Sequence, residues 1–591
     1  MNNNITNFII KSMKSSKIAV LLAALILFAI IPTLVQAAAP AEQWNKTFGG
    51  IMDDANSVQQ TSDGGYIVAG ESWGGGGRDA WLIKVDSNGN QQWNKTFGES
   101  DIDYASSVQQ TSDGGYIIAG TTIQYGAGGE DAWLIKTDSS GNELWNKTFG
   151  GSNYDVANSV DQTSDGGYIV AGGTVSYGAG DSDAWLIKVD SSGNQQWNET
   201  FGEARWDNAE SVQQTSDGGY IIAGGTESYG ASWMDAWLIK TDSNGNQKWS
   251  KTFWNLADHW EYVYSVQQTA DGEYILAGDS GYGDGGSNDA LLIKVDSNGN
   301  KKWSKIFDGT SSEGDNKFSV DQTSDGGYIV AGSTNSYGAG EDDALLIKVD
   351  SNGNQQWNKT FGGSMPDSAY SVQQTSDGGY IIAGTTRSYG TGIGDAWLIK
   401  VAPLSLTSSY DNRLRESSSC SVLGTTPYID VGKSTSRARD VMWFNLNMYN
   451  TTDTISRATL SLFWYYPAGK TRTSDTVVEI YRPGKWNPKY VTWYYHDYRK
   501  AWKPVGGAWF DANGVAQGTT PYASVTFPAG TVPDNKYYEF DVTQLVQEYV
   551  TGTNNTGFFL KAKTESGNYI AFYSSDWRNA DQRPKLTVTS S

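Results

Sequence analysis

The chain has very little of the residue types on which metal and redox sites depend. Its 591 residues include one cysteine, Cys420, and two histidines, His259 and His496. A single cysteine excludes an internal disulfide, and so few His and Cys leave no ligand set for a typical zinc site. We therefore predict no metal and no cofactor, and we assign no catalytic residue.

Basic charge is scarce in the first two thirds of the chain. Residues 38–403 carry 20 Lys or Arg against 49 Asp or Glu, whereas residues 404–591 carry 20 against 16. An acidic surface repels nucleic acid and other polyanions. We therefore exclude nucleic acid as a partner and expect any contact with a polyanion to involve residues 404–591.

Glycine and aromatic residues are abundant. There are 69 Gly, and the 24 Trp and 34 Tyr outnumber the 18 Phe. This composition is typical of many short strands joined by tight turns, so we predict an all-β fold.

The N-terminus has the pattern of an export signal. Three lysines precede an apolar run from Ile18 to Ile31, and Val35-Gln36-Ala37 supplies a small-residue cleavage site. We predict that residues 1–37 are a signal peptide, that the protein is extracellular or at the cell surface, and that no membrane span remains after cleavage. The alternative is an uncleaved N-terminal anchor.

A repeat of about 50 residues occurs seven times. The tyrosine of Asp-Gly-Gly-Tyr-Ile and its variant stands at Tyr66, Tyr116, Tyr168, Tyr220, Tyr274, Tyr328 and Tyr380. Each unit holds four short β-rich runs separated by turn residues such as Ser62-Asp63-Gly64-Gly65. Four strands per unit predict a seven-bladed β-propeller over residues 42–401, with a linear β-solenoid as the alternative.

The two ends of the repeat array complement each other. The first Trp run, residues 43–48, has no preceding partner, and the last unit stops at Lys400-Val401 without its own Trp run. We therefore expect Gln43–Phe48 to form the outer strand of the blade that contains Asp395–Val401, which closes a ring without exposed sheet edges.

The order Tyr-Ile-x-Ala-Gly, Ala-Trp-Leu-Ile-Lys, Gly turn and Trp resembles the blades of pyrroloquinoline-quinone-type propellers. The resemblance implies a Trp that docks between blades, and it does not extend to the cofactor.

The innermost strand would place one of two polar sets in a central channel. The first is Gln60, Gln110, Gln162, Gln214, Gln268, Gln322 and Gln374. The second, which we favour because Val58 should face a sheet, is Gln59, Gln109, Asp161, Gln213, Gln267, Asp321 and Gln373.

Two features interrupt or decorate the repeat. The loop with Trp254, Asp258, His259 and Trp260 is a secondary candidate for stacking and hydrogen bonding a sugar, or it packs on its own blade. Sequons for N-glycosylation, which are either used or merely copied with the repeat, stand at Asn45, Asn94, Asn146, Asn198, Asn358, Asn450 and Asn554.

After a linker at residues 402–404, residues 405–591 again alternate strand-like runs with turns, which predicts a β-sandwich of jelly-roll type. The run Asp411-Asn412-Arg413-Leu414-Arg415-Glu416, with Phe540-Asp541-Val542-Thr543 further on, resembles the DNRLRE or disaggregatase-related domain of archaeal surface proteins. That family is associated with exported proteins that act on an acidic, chondroitin-like polysaccharide matrix. The resemblance therefore implies glycan binding, with cleavage of the glycan as a sharper claim.

Aromatic and basic residues are interleaved in the same region. Flat rings stack on sugar faces, and cations pair with uronate or sulfate oxygens. We predict carbohydrate-binding residues at Arg482, Lys485, Trp486, Lys489, Trp493, Tyr495, Lys500 and Trp502.

The sequence thus favours a secreted or cell-surface protein that binds extracellular polysaccharide through its C-terminal sandwich. The propeller would be an interaction platform, with other surface proteins as further partners. The alternative is a polysaccharide-degrading lyase or glycoside hydrolase of disaggregatase type, which needs singular side chains at the channel mouth.

Overall fold

The computed structural model describes most of the chain from residue 39 to residue 590. Its gaps are at 75–76, 99–100, 231–232, 255–258, 283–288, 308–316, 404, 408–409, 417–427, 434–436, 447–448, 450–453, 467–473, 487–494, 498–499, 502–507, 530–535, 566–568, 576 and 580–581. The predicted signal peptide, residues 1–37, lies outside the described residues.

The described part of residues 42–401 forms seven four-stranded antiparallel sheets. Sheet 1 contains β2 (Asp53–Gln60), β3 (Tyr66–Gly74), β4 (Gly77–Val85) and β5 (Gln91–Phe97). Sheet 2 contains β6 (Asp103–Gln110), β7 (Tyr116–Thr122), β8 (Asp131–Thr137) and β9 (Glu143–Phe149). Sheet 3 contains β10 (Asp155–Gln162), β11 (Tyr168–Thr174), β12 (Asp183–Val189) and β13 (Gln195–Phe201).

The remaining sheets repeat the same order. Sheet 4 contains β14 (Asp207–Gln214), β15 (Tyr220–Thr226), β16 (Asp235–Thr241) and β17 (Gln247–Phe253). Sheet 5 contains β18 (His259–Gln268), β19 (Tyr274–Tyr282), β20 (Asp289–Val295) and β21 (Lys301–Phe307). Sheet 6 contains β22 (Ser319–Gln322), β23 (Tyr328–Thr334), β24 (Asp343–Val349) and β25 (Gln355–Phe361). Sheet 7 contains β26 (Asp367–Gln374), β27 (Tyr380–Thr386), β28 (Asp395–Val401) and β1 (Glu42–Phe48).

The turns between strands follow from their residues. In sheet 1, the Asp63 carboxylate accepts hydrogen bonds from the Thr61 hydroxyl and the Gly65 amide. Gly64 between them has a φ of 81°, a conformation that costs glycine little and other residues more. The Asp86 carboxylate accepts the amides of Asn88 and Asn90 in the next turn. That segment is therefore a hairpin turn between β4 and β5.

The N-terminal strand completes the last sheet, as predicted. β1 pairs antiparallel with β28, with Trp44 opposite Lys400 and Phe48 opposite Ala396. The first and last strands of the array thus share one sheet.

Two sets of hydrogen bonds to glutamine and aspartate side chains connect each sheet to the next and connect sheet 7 to sheet 1. The amide of Gln60 donates to the Gln373 side chain, and Gln110 donates to Gln59 in the same way. All seven bonds of this set are 2.5–2.8 Å long. A second set of 2.7–2.8 Å links amides such as that of Ser62 to side chains such as that of Gln110. Both polar sets of the innermost strand therefore join sheets.

Apolar cores lie between adjacent sheets. One cluster combines Ile67 and Leu82 of sheet 1 with Val108 and Ile135 of sheet 2, and another combines Leu398 of sheet 7 with residues of sheet 1. The expected Trp docking is present, because Trp93 on β5 lies 5.8 Å from the Tyr116 ring of the next sheet. Burial of such apolar surface stabilises by about 25 cal/mol per Å², so every sheet depends on its neighbours.

The C-terminal region contains fourteen described strands and one described helix. They are β29 (Ser405–Thr407), β30 (Tyr410–Arg415), β31 (Tyr428–Lys433), β32 (Arg437–Trp443), β33 (Ile455–Tyr466), β34 (Thr476–Pro483), β35 (Tyr495–Asp497), β36 (Lys500–Ala501), β37 (Trp509–Phe510), β38 (Ala523–Phe527), β39 (Tyr537–Asp541), β40 (Phe558–Ala562), β41 (Tyr569–Tyr573), β42 (Lys585–Ser590) and α1 (Thr543–Val550).

The long strand β33 connects two groups of these strands. It pairs with β39 and β42 along residues 455–463, and then with β41 at Trp464 and Tyr466. β31, β32, β40 and β34 follow beyond β41 in sheet order. One buried core receives side chains from both groups, including Leu460, Trp464 and Ile480.

The DNRLRE run forms β30, which pairs with β32. The Asp411 carboxylate accepts the amide of Ser575 at 2.6 Å, and Glu416 forms an ion pair with Arg437 at 2.9 Å. The described acidic residues of this run thus hold neighbouring segments in place. Among the described residues, no helix is long and apolar enough to span a membrane.

Candidate functional sites

The structure describes the side chains of three predicted carbohydrate-binding residues, Arg482, Lys485 and Trp486. The side chain of Trp486 packs against its neighbours. Its indole nitrogen donates to the Thr556 carbonyl at 2.7 Å, and its ring packs on the buried Tyr481 and Phe559 cluster. The Arg482 guanidinium lies 4.8 Å from the Phe510 ring centre and 3.9 Å from Glu548. Lys485 is exposed.

Two further residues of this predicted set lie in short strands. Tyr495 and Lys500 lie in β35 and β36, which pair with each other. Lys489, Trp493 and Trp502 lie outside the described residues. The binding segment remains a prediction.

The secondary candidate loop is only partly described. Trp254 follows β17 and is 45% exposed, and Trp260 is partly buried in β18. His259 begins that strand, and Asp258 lies outside the described residues.

Most of the predicted sequons are accessible. The asparagines at Asn45, Asn94, Asn146 and Asn198 are exposed on the outer strands of their sheets, and Asn554 is exposed in the C-terminal region. Asn358 is partly buried, and Asn450 lies outside the described residues.

Three aromatic rings form a column in the C-terminal region, which we call the aromatic stack. Tyr573 at the end of β41 lies 4.4 Å from Tyr465 with an interplanar angle of 7°, and 4.0 Å from Trp577 with an angle of 12°. All three residues are partly exposed. Trp577 is an end ring of this column, and Tyr573 contacts only one of its faces.

Two arginines lie next to Trp577 in the aromatic stack. The guanidinium of the exposed Arg578 lies 5.6 Å from the Trp577 ring centre. Arg583 donates to the Trp577 carbonyl at 2.7 Å and so holds this segment. Sequence spacing does not reveal these contacts, because Tyr573 and Trp577 are more than a hundred residues from Tyr465 in the chain.

A polar cavity of about 180 Å³ lies where the seven sheets meet. Each sheet contributes residues to its lining from its first strand or the residues just before that strand. One lining position is serine in every repeat, namely Ser57, Ser107, Ser159, Ser211, Ser265, Ser319 and Ser371. Each serine hydroxyl accepts an amide of a neighbouring sheet at 3.2–3.4 Å. These serines therefore help to hold the sheets together.

The position before each serine differs from repeat to repeat, and we call this set the variable ring. It consists of Asn56, Ser106, Asn158, Glu210, Tyr264, Lys317 and Tyr370. In sheet 6 the residue directly before the serine, Phe318, is buried in the core between sheets 5 and 6, and the exposed Lys317 is the additional lining residue there. The variable ring therefore holds one carboxylate and one ammonium among its described members.

Neighbouring side chains orient Glu210. The Tyr262 hydroxyl donates to Oε1 at 2.6 Å and the Asn208 amide donates to the same oxygen at 2.7 Å. Burial raises the pKa of Glu210, and the charge of Lys317 opposes this rise. Burial and the Glu210 charge in turn hold the pKa of Tyr262 well above its usual value. Neither of these two bonds uses Oε2.

Tyrosine rings stand beside this carboxylate. Tyr264 lies 4.8 Å from Tyr262 in centroid separation, with the planes tilted by 52°. Tyr370, on the variable ring of sheet 7, has a raised pKa because it is buried and close to Asp54. Aligning the seven repeats shows that the residue before the shared serine varies. The alignment places Phe318 at the position of Glu210, so it does not identify Lys317 as a lining residue.

Glu210 is the one carboxylate among the described residues that line the polar cavity. Glycoside hydrolysis generally uses two carboxyl groups across the scissile bond. Among the described residues, no group of three or more His, Cys, Asp and Glu side chains could hold a metal ion.

The C-terminal sequence matches a known family model. Residues 411–588 match the disaggregatase related repeat domain. This disaggregatase-related region includes the DNRLRE strand β30, the aromatic stack and Arg482. No curated protein matches the sequence.

Several solved structures resemble the chain in fold alone. A protein of unknown function from Dyadobacter fermentans aligns with a TM-score of 0.37 and 10% identity, over 62% of this chain and all of its own. A Penicillium chrysogenum α-L-arabinanase complexed with arabinobiose has a TM-score of 0.38 and 10% identity, over 62% and 99%. The Neurospora crassa Pan2 WD40 domain has a TM-score of 0.35 and 9% identity, over 60% and 98%.

Proposed function

We propose that this protein binds an extracellular, acidic polysaccharide through its disaggregatase-related region. The observation that carries the proposal is the aromatic stack of Tyr465, Tyr573 and Trp577 with Arg578 beside it. The Trp577 ring offers a flat apolar surface to a sugar ring, and the Arg578 guanidinium offers two parallel donors to a carboxylate or sulfate.

The charge distribution supports the same region. Residues 404–591 have four more basic than acidic residues, from 20 against 16, whereas residues 38–403 have a large acidic excess. A polyanion is attracted to the first surface and repelled by the second. The matched family model adds that the region resembles a disaggregatase-related repeat.

The proposed architecture places this region on an exported scaffold. The seven sheets are the blades of a closed β-propeller, supported by the hydrogen bonds that run from sheet 7 to sheet 1. The C-terminal region is a β-sandwich of jelly-roll type, supported by the single core between its strand groups. Signal cleavage after Ala37 leaves the protein outside the cell or at its surface, as an interaction platform for other surface proteins.

The test compares two exposed or partly exposed tryptophans in the full-length protein. Trp577→Ala removes an end ring of the aromatic stack, and Trp233→Ala removes a ring that is 83% exposed in the other region. We expect Trp577→Ala to weaken retention on immobilised chondroitin about fivefold, since a ring contact contributes about 1 kcal/mol and a tenfold change in affinity is about 1.4 kcal/mol. Trp233→Ala should bind like wild type.

A second variant tests the charge. Arg578→Gln should lower retention at low salt and leave a smaller salt dependence, because the lost contact is an ionic one. Equal retention of wild type, Trp577→Ala and Arg578→Gln would contradict the proposal. New reducing ends or unsaturated uronate absorbance in the same incubation would instead establish cleavage, and so the enzyme alternative.

A further inference from the structure

Folding explains only part of the variable ring. The side-chain amides of Asn56 and Asn158 donate to the Ala105 and Ala209 carbonyls of the next sheets. Among the described residues, the two charged members of the ring bond no main-chain group of a neighbouring sheet. A residue that all seven repeats share serves the fold, and the serine next to the ring does so by accepting an amide of a neighbouring sheet. The ring position itself carries amide, hydroxyl, carboxylate, phenol and ammonium groups around one cavity. Departures from a local rule without a structural reason are expected at functional sites.

We propose that the central cavity binds one neutral sugar ring, with Glu210 and Lys317 as the charged residues that hold its hydroxyl groups. The site lies in the sheets formed by residues 42–401, and the inference does not depend on polysaccharide binding by the disaggregatase-related region.

The size of the cavity sets the size of the ligand. Its volume of about 180 Å³ is more than ten times the ~10–15 Å³ that one water needs on the same measure. This space accepts a single small ring.

The Glu210 carboxylate is prepared to accept hydroxyl groups. Tyr262 and Asn208 fix its orientation through Oε1, which leaves Oε2 for a ligand. A carboxylate oxygen with spare lone pairs binds the O–H donors of neighbouring sugar hydroxyls through charge-assisted hydrogen bonds. Because Tyr262 and Asn208 already bond Oε1, the orientation of the carboxylate is set before a ligand binds.

The remaining groups complement a polyhydroxylated ring. Lys317 donates to a hydroxyl or ring oxygen. The side-chain amides of Asn56 and Asn158 each use one N–H on a main-chain carbonyl of the next sheet, and the side-chain oxygens of both asparagines can accept from a sugar hydroxyl. Tyr264 and Tyr370 bring aromatic rings to the lining, and such rings pack on the apolar face of a sugar.

The charges of the ring favour a neutral ligand. One ammonium and one carboxylate compensate each other, so a uronate gains from Lys317 what it loses to Glu210. A cationic amino sugar is attracted by Glu210 and repelled by Lys317. A neutral sugar interacts with both groups without an unpaired charge, which would be costly in a confined site.

The experiment uses the full-length protein and saturation-transfer NMR with a panel of glucose, galactose, arabinose, glucuronate and glucosamine. We expect at least one neutral sugar to bind in competition with the others and more tightly than glucuronate or glucosamine. Glu210→Gln keeps the Oε1 bonds and removes the charge, and it should weaken binding at least tenfold. Lys317→Met should weaken it by a similar factor.

The matched control is Glu199→Gln, on the outer strand β13, where the side chain is exposed. It should leave sugar binding unchanged. Circular dichroism and the melting temperature must show that each variant is folded. Retention on immobilised chondroitin should be the same in Glu210→Gln as in wild type, which separates this site from the aromatic stack.

Three results would overturn the inference. The first is that no neutral sugar binds. The second is that folded Glu210→Gln and Lys317→Met bind neutral sugars as well as Glu199→Gln does. The third is tighter binding of glucuronate or glucosamine, which would show that one charge of the ring dominates recognition.

Discussion

At the residue scale, the tryptophan of the outer strand makes the same ring contact in all seven sheets. The ring centres of Trp93 and Tyr116 are 5.8 Å apart, and those of Trp357 and Tyr380 are also 5.8 Å apart. The burial of these tryptophans differs, since Trp357 is 2% exposed and the other six are only partly buried. One substitution can therefore be compared at two levels of burial in one protein.

We expect Trp357→Ala to lower the free energy of unfolding by about 3–5 kcal/mol, because it leaves a cavity in a closed site. The same change at the partly buried Trp197 should cost about half as much, since water already reaches part of that ring. Urea unfolding followed by fluorescence measures both. Equal losses would mean that the ring contact, and not burial, carries the stabilisation.

At the element scale, β1 is needed because it supplies the fourth strand of sheet 7 from the other end of the repeat array. Asn45 to Phe48 lie opposite Ala396 to Ile399. Without β1, one edge of β28 has no partner, and an open edge exposes unpaired amides and carbonyls.

Deletion of residues 42–48 should therefore increase hydrogen exchange along β28 and lower the melting temperature. The equivalent strand β24 of sheet 6 keeps its own neighbour β25 and serves as the internal control. Hydrogen exchange measured by mass spectrometry reports on both strands. Unchanged protection of β28 in the shortened protein would show that the strand pairing contributes little.

The elements also show where prediction from sequence is strong. A short apolar run between turn residues defines a strand locally, and Tyr66–Ala69 and Thr476–Tyr481 are such runs that lie inside observed strands. The start of β2 is harder to infer, because this strand begins at the polar residue Asp53. Asp53 is polar and fully buried, a combination that hydropathy cannot indicate. Its burial depends on the tertiary fold.

At the scale of the whole molecule, the repeat predicted the seven sheets and the pairing of their ends, but not the contents of the central cavity. Lys317 faces that cavity because Phe318 next to it fills the core between sheets 5 and 6. The aromatic stack likewise depends on the pairing of β33 with β41. Both arrangements come from contacts between distant segments, which composition and spacing do not specify.

A lysine–aspartate pair recurs in all seven sheets and sets the acid stability of the molecule. The nitrogen–oxygen distances are 2.9–3.3 Å, from Lys84 with Asp63 to Lys400 with Asp377. Partial burial favours the neutral acid, but hydrogen bonds from Thr61, Lys84 and Gly65 outweigh it and lower the pKa of Asp63 to about 2. The pKa of Asp113 and that of Asp165 are lowered to about 2 by equivalent partners.

Buried carboxylates between sheets have the opposite tendency. Burial raises the pKa of Asp131, and the nearby Asp155 adds to the rise. Asp183 and Asp343 have raised pKa values for the same reasons. An acid whose folded pKa is raised binds its proton more readily in the folded state, so its contribution to stability increases as the pH falls.

These two groups together predict a stability maximum at mildly acidic pH. As the pH falls from neutral, the carboxylates with raised pKa values first increase their contribution to the stability of the fold. Below the unfolded aspartate pKa of about 3.9, the paired aspartates then lose stability progressively as the pH approaches their folded pKa of about 2. The melting temperature should therefore fall steeply between about pH 4 and pH 2.

The triple variant Asp63→Asn, Asp113→Asn and Asp165→Asn isolates the paired group. It should melt below wild type at pH 7, because three buried lysines lose their charged partners, and its melting temperature should change less between pH 4 and pH 2. Scanning calorimetry across this range measures both profiles. Parallel profiles for the two proteins would assign the acid loss to other carboxylates and remove the lysine–aspartate pairs from the explanation.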